Sequence, residues 1–141
     1  MTENRGYMLP SQRDDWGTPK ALFEELEKEF KFDLDAASND INYKCEKHFT
    51  IRENGLIQSW GGYSVFINPP YGRCLYDWIK KAYSERNNAK VIVALLPART
   101  DTRWFHEFIY NKAEIRFLKG RLKFDDCKNS ATFPSMIVIW R

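Results

Sequence analysis

Apolar and polar positions alternate along the chain with periods that change from segment to segment. Leu22, Phe23, Leu26 and Phe30 recur at helical spacing, with Glu24, Glu25, Glu27 and Lys28 largely on the opposite face. This predicts an amphipathic helix, with Thr18 placed to cap it and Pro19 at the first helical position. Phe32-Asp33-Leu34-Asp35-Ala36-Ala37 reads as a short strand running into a small-residue turn. Residues 38–57 are irregular and rich in Asn and charge, with a short strand expected near residues 48–51. Ser64-Val65-Phe66-Ile67 is an apolar run halted by Asn68-Pro69-Pro70. It predicts a buried strand that ends abruptly, because proline cannot continue a central ladder.

Leu75, Trp78, Ile79, Ala82 and Tyr83 keep helical spacing. Residues 91–96 are apolar at every position and stop at Pro97, the signature of a parallel strand covered on both faces. A further helix is expected over residues 101–110, with Trp104, Phe105, Phe108 and Ile109 inward. Ile115 and Phe117 alternate with charges, Gly120 turns the chain, Leu122 and Phe124 extend the pattern, and residues 136–140 form a last apolar strand. The order of elements implies an open α/β sheet, mostly parallel, with an antiparallel hairpin at one edge where no room remains for a helix. Ligands of such sheets bind at the carboxyl ends of the strands. Three segments lie there: residues 35–38, 68–71 and 97–101.

Composition narrows the class. A chain of 141 residues suits a single domain over residues 1–141, with residues 1–14 as a flexible N-terminal segment and nothing left over for a separate recognition domain. No stretch approaches the roughly 20 apolar residues of a membrane span, and the polar N-terminus lacks a signal-peptide core, so a cytoplasmic protein is expected. The cysteines Cys45, Cys74 and Cys127 are scattered, and His48 and His106 lie far apart, which points to reduced thiols and no metal site. The net charge of +3 is uneven: residues 1–70 carry 8 Lys/Arg against 12 Asp/Glu, and residues 71–141 carry 14 against 7. A basic half is expected of a partner of a polyanion, although a solvated surface gives the same count.

Asn68-Pro69-Pro70-Tyr71 carries the chemistry. Adjacent prolines fix two φ angles and set the loop in advance. Asn68 offers a side-chain carbonyl and Pro69 its backbone carbonyl, two acceptors able to hold the two hydrogens of an amino group. Holding them draws the nitrogen toward tetrahedral geometry and aims its lone pair at a methyl donor, a gain from positioning and electrostatics. Tyr71 is expected to stack on the ring that bears the amine. A proline-terminated strand with a turn asparagine would show the same residues.

The tetrad resembles the (Asp/Asn/Ser)-Pro-Pro-(Tyr/Phe/Trp) motif of amino-group methyltransferases. From about Trp16 to Trp140 the chain resembles the phage-type DNA N6-adenine methyltransferase family. The likeness rests on Trp16-Gly17-Thr18-Pro19, residues 32–37, Asn54-Gly55-Leu56 with Trp60, the tetrad, residues 96–100 with Trp104-Phe105-His106, and residues 120–124.

The resemblance implies a small Rossmann-like methyltransferase domain that uses S-adenosylmethionine and flips an adenine out of double-stranded DNA. It further implies that Trp16, Thr18 and Pro19 meet the methionine end of the cofactor, where a free helix N-terminus suits a carboxylate. Asp35, Ala36 and Ala37 form the first cofactor loop, with Asp35 toward the ammonium group, although no Gly-x-Gly is present. Asn54 stands where the family often has aspartate and accepts from the cofactor's adenine amine. Asn68 touches both cofactor and substrate, and Glu46 and Glu53 are the candidates for the ribose. Arg99, Arg103 and Arg121 are expected on DNA phosphates. The same tetrad would serve cytosine N4, an adenine in RNA or a glutamine side chain. A cofactor- or DNA-binding module without activity is the reading from another class.

Overall fold

In a computed structural model that describes residues 17–125 and 127–141, five strands form one mixed sheet in the order β1-β2-β3-β5-β4. Helix α1 (Lys20–Phe30) precedes β1 (Leu34–Asp35). Its apolar stripe turns inward: Leu26 and Phe30 are buried, and the Phe23 ring stands edge-on to Phe66 with centroids 5.1 Å apart. Lys31 ends the helix in the left-handed region (φ 55), where its N–H donates to the Glu27 carbonyl.

The connection from β1 to β2 (Ser64–Ile67) holds no α-helix, only a 3-10 turn at Gly55–Ile57. The strand expected near residue 48 is reduced to a bridge between Asp35 and His48. Beyond it, α2 (Leu75–Glu85) leads into β3 (Val91–Pro97), and α3 (Arg103–Phe108) leads to β4 (Glu114–Phe117) and β5 (Ser135–Trp140). Helix α3 is shorter than its apolar pattern. It starts where the Thr102 hydroxyl accepts the Phe105 N–H at 3.3 Å.

β1, β2 and β3 run parallel, with Asp35 opposite Phe66 and Ile67 opposite Ala94. β5 then inserts antiparallel between β3 and β4. β3 and β5 are nearly continuous apolar runs because both are interior strands with both faces covered. β4 is the edge. Phe117 is 63% exposed there, and Arg116 holds the edge through a bidentate pair with Glu29 at 2.7 and 2.8 Å.

Leu122 and Phe124 do not extend β4. They belong to a long irregular connection between β4 and β5, which folds back so that the Asp125 N–H donates to the Gly17 carbonyl at 2.9 Å. No helix among the described residues is long and apolar enough to cross a membrane.

Candidate active site

The parallel register brings the carboxyl ends of β1 and β2 side by side, so Asp35 and Asn68 open onto one cavity of about 680 Å³. Thr18, Ala36, Ala37, Asn54 and Pro70 also line it, as do Phe66, Cys74 and Trp78. Asp35 is almost fully buried. Its carboxylate accepts the Lys44 N–H at 2.9 Å and the Ala37 N–H at 3.4 Å. Burial pushes its pKa up to about 6, and those two N–H bonds offset the shift only in part. A buried carboxylate of this kind favours a cationic partner in the cavity.

Asn54 sits in the left-handed region (φ 59), and its side-chain oxygen accepts the Leu56 N–H at 3.1 Å. A carbonyl oxygen has a second lone pair, so this bond leaves capacity for another donor. The adjacent Gly55 is required by close approach. A Cβ there would stand 2.2 Å from the Ala36 carbonyl oxygen and 3.0 Å from the Trp78 ring. The Trp60 indole N–H donates to the Gly55 carbonyl at 3.0 Å and holds that contact from behind. At the mouth, Asp40 and Arg52 pair at 2.7 Å across two rim segments. Of the two acids considered for a ribose, Glu53 accepts from the N–H and the hydroxyl of Thr50 at 2.7 Å each, and Glu46 is exposed.

Thr18 does not cap α1. The cap position is Pro19, which has no side-chain cap bond, and the Thr18 hydroxyl oxygen instead accepts from Nδ2 of Asn68 at 2.9 Å. Pro19 is half-buried at the start of the helix, and Trp16 lies outside the described residues. In the tetrad, Pro69 is buried, and the Tyr71 hydroxyl donates to the Leu95 carbonyl at 3.2 Å. Tyr71 is 4% exposed, edge-on to Phe124 and Phe133 of the β4–β5 connection. Burial pushes its phenol above the ordinary value. The ring expected to stack on a base therefore has no open face in this arrangement.

The three arginines differ in their surroundings. Arg99 lies past the end of β3, exposed, with its guanidinium over the Phe133 ring at 5.6 Å. Arg121 is exposed on the β4–β5 connection, which also carries the exposed Lys119, Lys123 and Lys128. Arg103 is engaged: it pairs with Glu107 at 3.0 Å and lies over the Tyr76 ring at 4.9 Å. Among the described residues no group of three or more His, Cys, Asp or Glu is arranged to hold a metal ion. The thiol of Cys45 is pushed up to about 12 by burial, which makes it a poor nucleophile.

Residue types and spacing do not single out Lys44, Phe66, Trp78 or Gly55 for the site. Phe66 and Trp78 read as core, and Gly55 stands out only as a neighbour of Asn54.

The family described as DNA N-6-adenine-methyltransferase (Dam) matches residues 6–141. The DNA N-6-adenine-methyltransferase of Escherichia phage T1 is 39% identical over 115 residues, covering 80% of this chain and 48% of that protein. A protein of the same name from Haemophilus phage HP1 (strain HP1c1) is 32% identical over 110 residues, covering 77% of this chain and 64% of that protein. The chain thus spans from about half to less than two thirds of the length of the curated relatives it matches.

Proposed function

The chain belongs to the DNA N-6-adenine-methyltransferase (Dam) family, and from that premise we propose that it methylates the exocyclic amine of adenine in double-stranded DNA. The methyl donor is S-adenosylmethionine, held in a Rossmann-like methyltransferase domain formed by the chain. One observation carries the reading: Asp35 and Asn68, from the ends of adjacent parallel strands, line the same cavity.

The residues present fit that donor. The cavity volume falls in the roughly 300–1,000 Å³ range of small-molecule sites. Asp35 is a buried carboxylate facing a cavity, suited to an ammonium group. Phe66 and Trp78 give apolar aromatic wall against a flat ring, and Asn54 keeps acceptor capacity for an adenine amine. Ala36 and Ala37 permit close approach of the backbone without a Gly-x-Gly. The first turn of α1, uncapped by Thr18, suits a carboxylate.

When bound, S-adenosylmethionine supplies a methyl group made electrophilic by its positive sulfur. The chain's own part is to hold the acceptor. The Asn68 side-chain carbonyl and the Pro69 backbone carbonyl accept the two N–H bonds of the amine. The nitrogen lone pair is then freed from the ring and aimed into the cavity. Pro69 and Pro70 keep the two acceptors in fixed relation, so little reorganisation is left for the reaction itself. Once methylated, the nitrogen sheds its proton readily, and no strong base is required of the protein. Stacking of Tyr71 on a flipped base then needs Phe124 and Phe133 to swing away from it.

Arg99 and Arg121, with the lysines of the β4–β5 connection, form the face for DNA phosphates. Arg103 contributes less because Glu107 offsets its charge. The deciding experiment incubates the chain with labelled S-adenosylmethionine and separates DNA, RNA and protein, followed by identification of the methylated base. N6-methyladenine in DNA is the expected product. Label on cytosine, RNA or glutamine would reassign the acceptor, and no label anywhere would overturn the reading.

A further inference from the structure

We propose that Arg73 is a substrate-binding residue: its guanidinium grips the DNA phosphate that adjoins the flipped adenine. The proposal rests on the reading of the tetrad as the site of the adenine amine. That reading leaves a need unmet. Asn68 and Pro69 hold the base only by its amine, and a base turned out of the duplex stays joined to its strand through a charged phosphate on either side. A cation fixed beside the tetrad would hold one of them.

Arg73 stands two residues beyond Tyr71, and its place is set from both sides. Before it, Tyr71 is 4% exposed, and its hydroxyl donates to the Leu95 carbonyl. After it, Leu75 is 2% exposed in the first turn of α2, and its N–H donates to the Gly72 carbonyl at 3.2 Å. Gly72 takes φ 114, which a residue with a side chain rarely adopts, so the chain turns sharply there from the tetrad into the helix. The turn leaves Arg73 exposed. Pro70 and Cys74, on either side of it, line the cavity, which puts Arg73 at the rim. Tyr76, three residues further on, carries Arg103 over its ring at 4.9 Å, so this rim continues into the face assigned to DNA.

The charge of Arg73 is not offset. Among the described residues Arg52, Arg103, Arg116 and Arg141 pair with carboxylates, and Arg86 and Arg99 lie over aromatic rings. The Arg73 side chain makes no ion pair, hydrogen bond or ring contact there, and neither does that of Arg121. Arg121 lies on the irregular β4–β5 connection, whereas Arg73 is mounted on the loop that carries the acceptors. A guanidinium presents a planar fork of N–H donors that matches two oxygens of a phosphate. A solvated arginine that only adds to the general positive field differs from this one in a measurable way: it is indifferent to which phosphate loses its charge.

The test uses the full chain and a duplex with one methylatable adenine. The duplex carries ordinary phosphates, or a single neutral methylphosphonate on the 5′ or the 3′ side of that adenine. Dissociation constants are measured over a salt series, with S-adenosylhomocysteine in place of the methyl donor, for the parent, Arg73→Ala, Arg73→Lys and Lys90→Ala. Lys90 is also exposed but precedes the amino end of β3, away from the carboxyl ends that form the site.

Arg73→Ala should weaken binding about 10-fold, the scale of one charged hydrogen-bonded contact, and flatten the slope of log affinity against log salt by about 0.9. In the parent and in Lys90→Ala, one of the two methylphosphonates should cost about 10-fold in affinity. In Arg73→Ala the same replacement should cost about 2-fold or less, because the contact it removes is already gone. Arg73→Lys should keep the parental salt slope and recover only part of the affinity, since lysine meets a phosphate as a point charge.

Parental affinity and slope in Arg73→Ala, or equal methylphosphonate penalties in the parent and Arg73→Ala, overturn the proposal. Arg73→Ala should unfold at the parental urea midpoint, and a lowered midpoint would assign the side chain to the fold instead. A parent that labels no adenine in DNA ends the reading of the tetrad and this proposal together. An active parent beside an unaffected Arg73→Ala ends this proposal alone.

Discussion

Replacing Asp35 by Asn should make the ligand-free protein more stable at neutral pH while abolishing its hold on the methyl donor. Asp35 is buried in the cavity wall, and its pKa rises from 3.8 to about 6. The folded state therefore binds this proton more tightly than the unfolded chain does. The stabilisation it gives is fully present below the unfolded pKa and is lost as pH climbs through the folded one. At about 1.36 kcal/mol per unit, the charged carboxylate costs up to about 3 kcal/mol at pH 7 relative to a neutral group.

Asn removes that cost but keeps one carbonyl oxygen for the two N–H donors of Lys44 and Ala37, a loss of about 1 kcal/mol. The variant should thus be about 1–2 kcal/mol more stable at pH 7, and equal or weaker at pH 4. Urea unfolding from pH 4 to pH 8 measures the difference, which cancels titrations that parent and variant share, such as that of Glu29 beside Arg116. Calorimetry should find parental affinity for S-adenosylmethionine rising with pH up to about 6 and level above it. A stability difference flat with pH would refute the raised pKa of Asp35, and equal affinities in the two proteins would refute its assignment to the donor's cation.

Asn68→Ala should cut the methylation rate by about 100-fold or more with little change in donor affinity, and Asn68→Asp should keep activity; single-turnover assays and calorimetry separate the two effects. Arg99→Ala and Arg121→Ala should each flatten the slope of log affinity for duplex DNA against log salt by about 0.9, and Arg103→Ala by less because Glu107 pairs with it. Parental slopes in all three would return the basic half to solvated surface. Gly55→Ala should destabilise the fold by about 1–3 kcal/mol and weaken donor binding, since the added methyl meets the Ala36 carbonyl; denaturant midpoints with and without S-adenosylmethionine test it.

Local order was legible in the sequence where the cause lies within a few residues. The stripe of α1 is a matter of three- and four-residue spacing, and it turned inward as read. The unbroken apolar runs of β3 and β5 announced strands covered on both faces. The antiparallel hairpin was legible because no helix fits before β5, but its insertion between β3 and β4 was not. Strand order depends on which neighbours bury the most surface together, and no residue carries that locally. The cap assigned to Thr18 failed for the same reason, since a half-buried amide 50 residues away competes for the hydroxyl.

Proline, carboxylate and ammonium chemistry belong to single residues. The stiff tetrad, the acid at the end of β1 and the excess of cations after Tyr71 therefore follow from residue order alone. What each of these faces was settled by folding. The parallel register set Asp35 and Asn68 on one cavity, and the 3-10 turn shut Gly55 against Ala36. The β4–β5 connection covered Tyr71 with Phe124 and Phe133, and the packing of α3 on α2 laid Arg103 over the Tyr76 ring. Burial and pairing are properties of surroundings assembled from distant segments, and they determine whether a residue's chemistry is available to a ligand or already used by the fold.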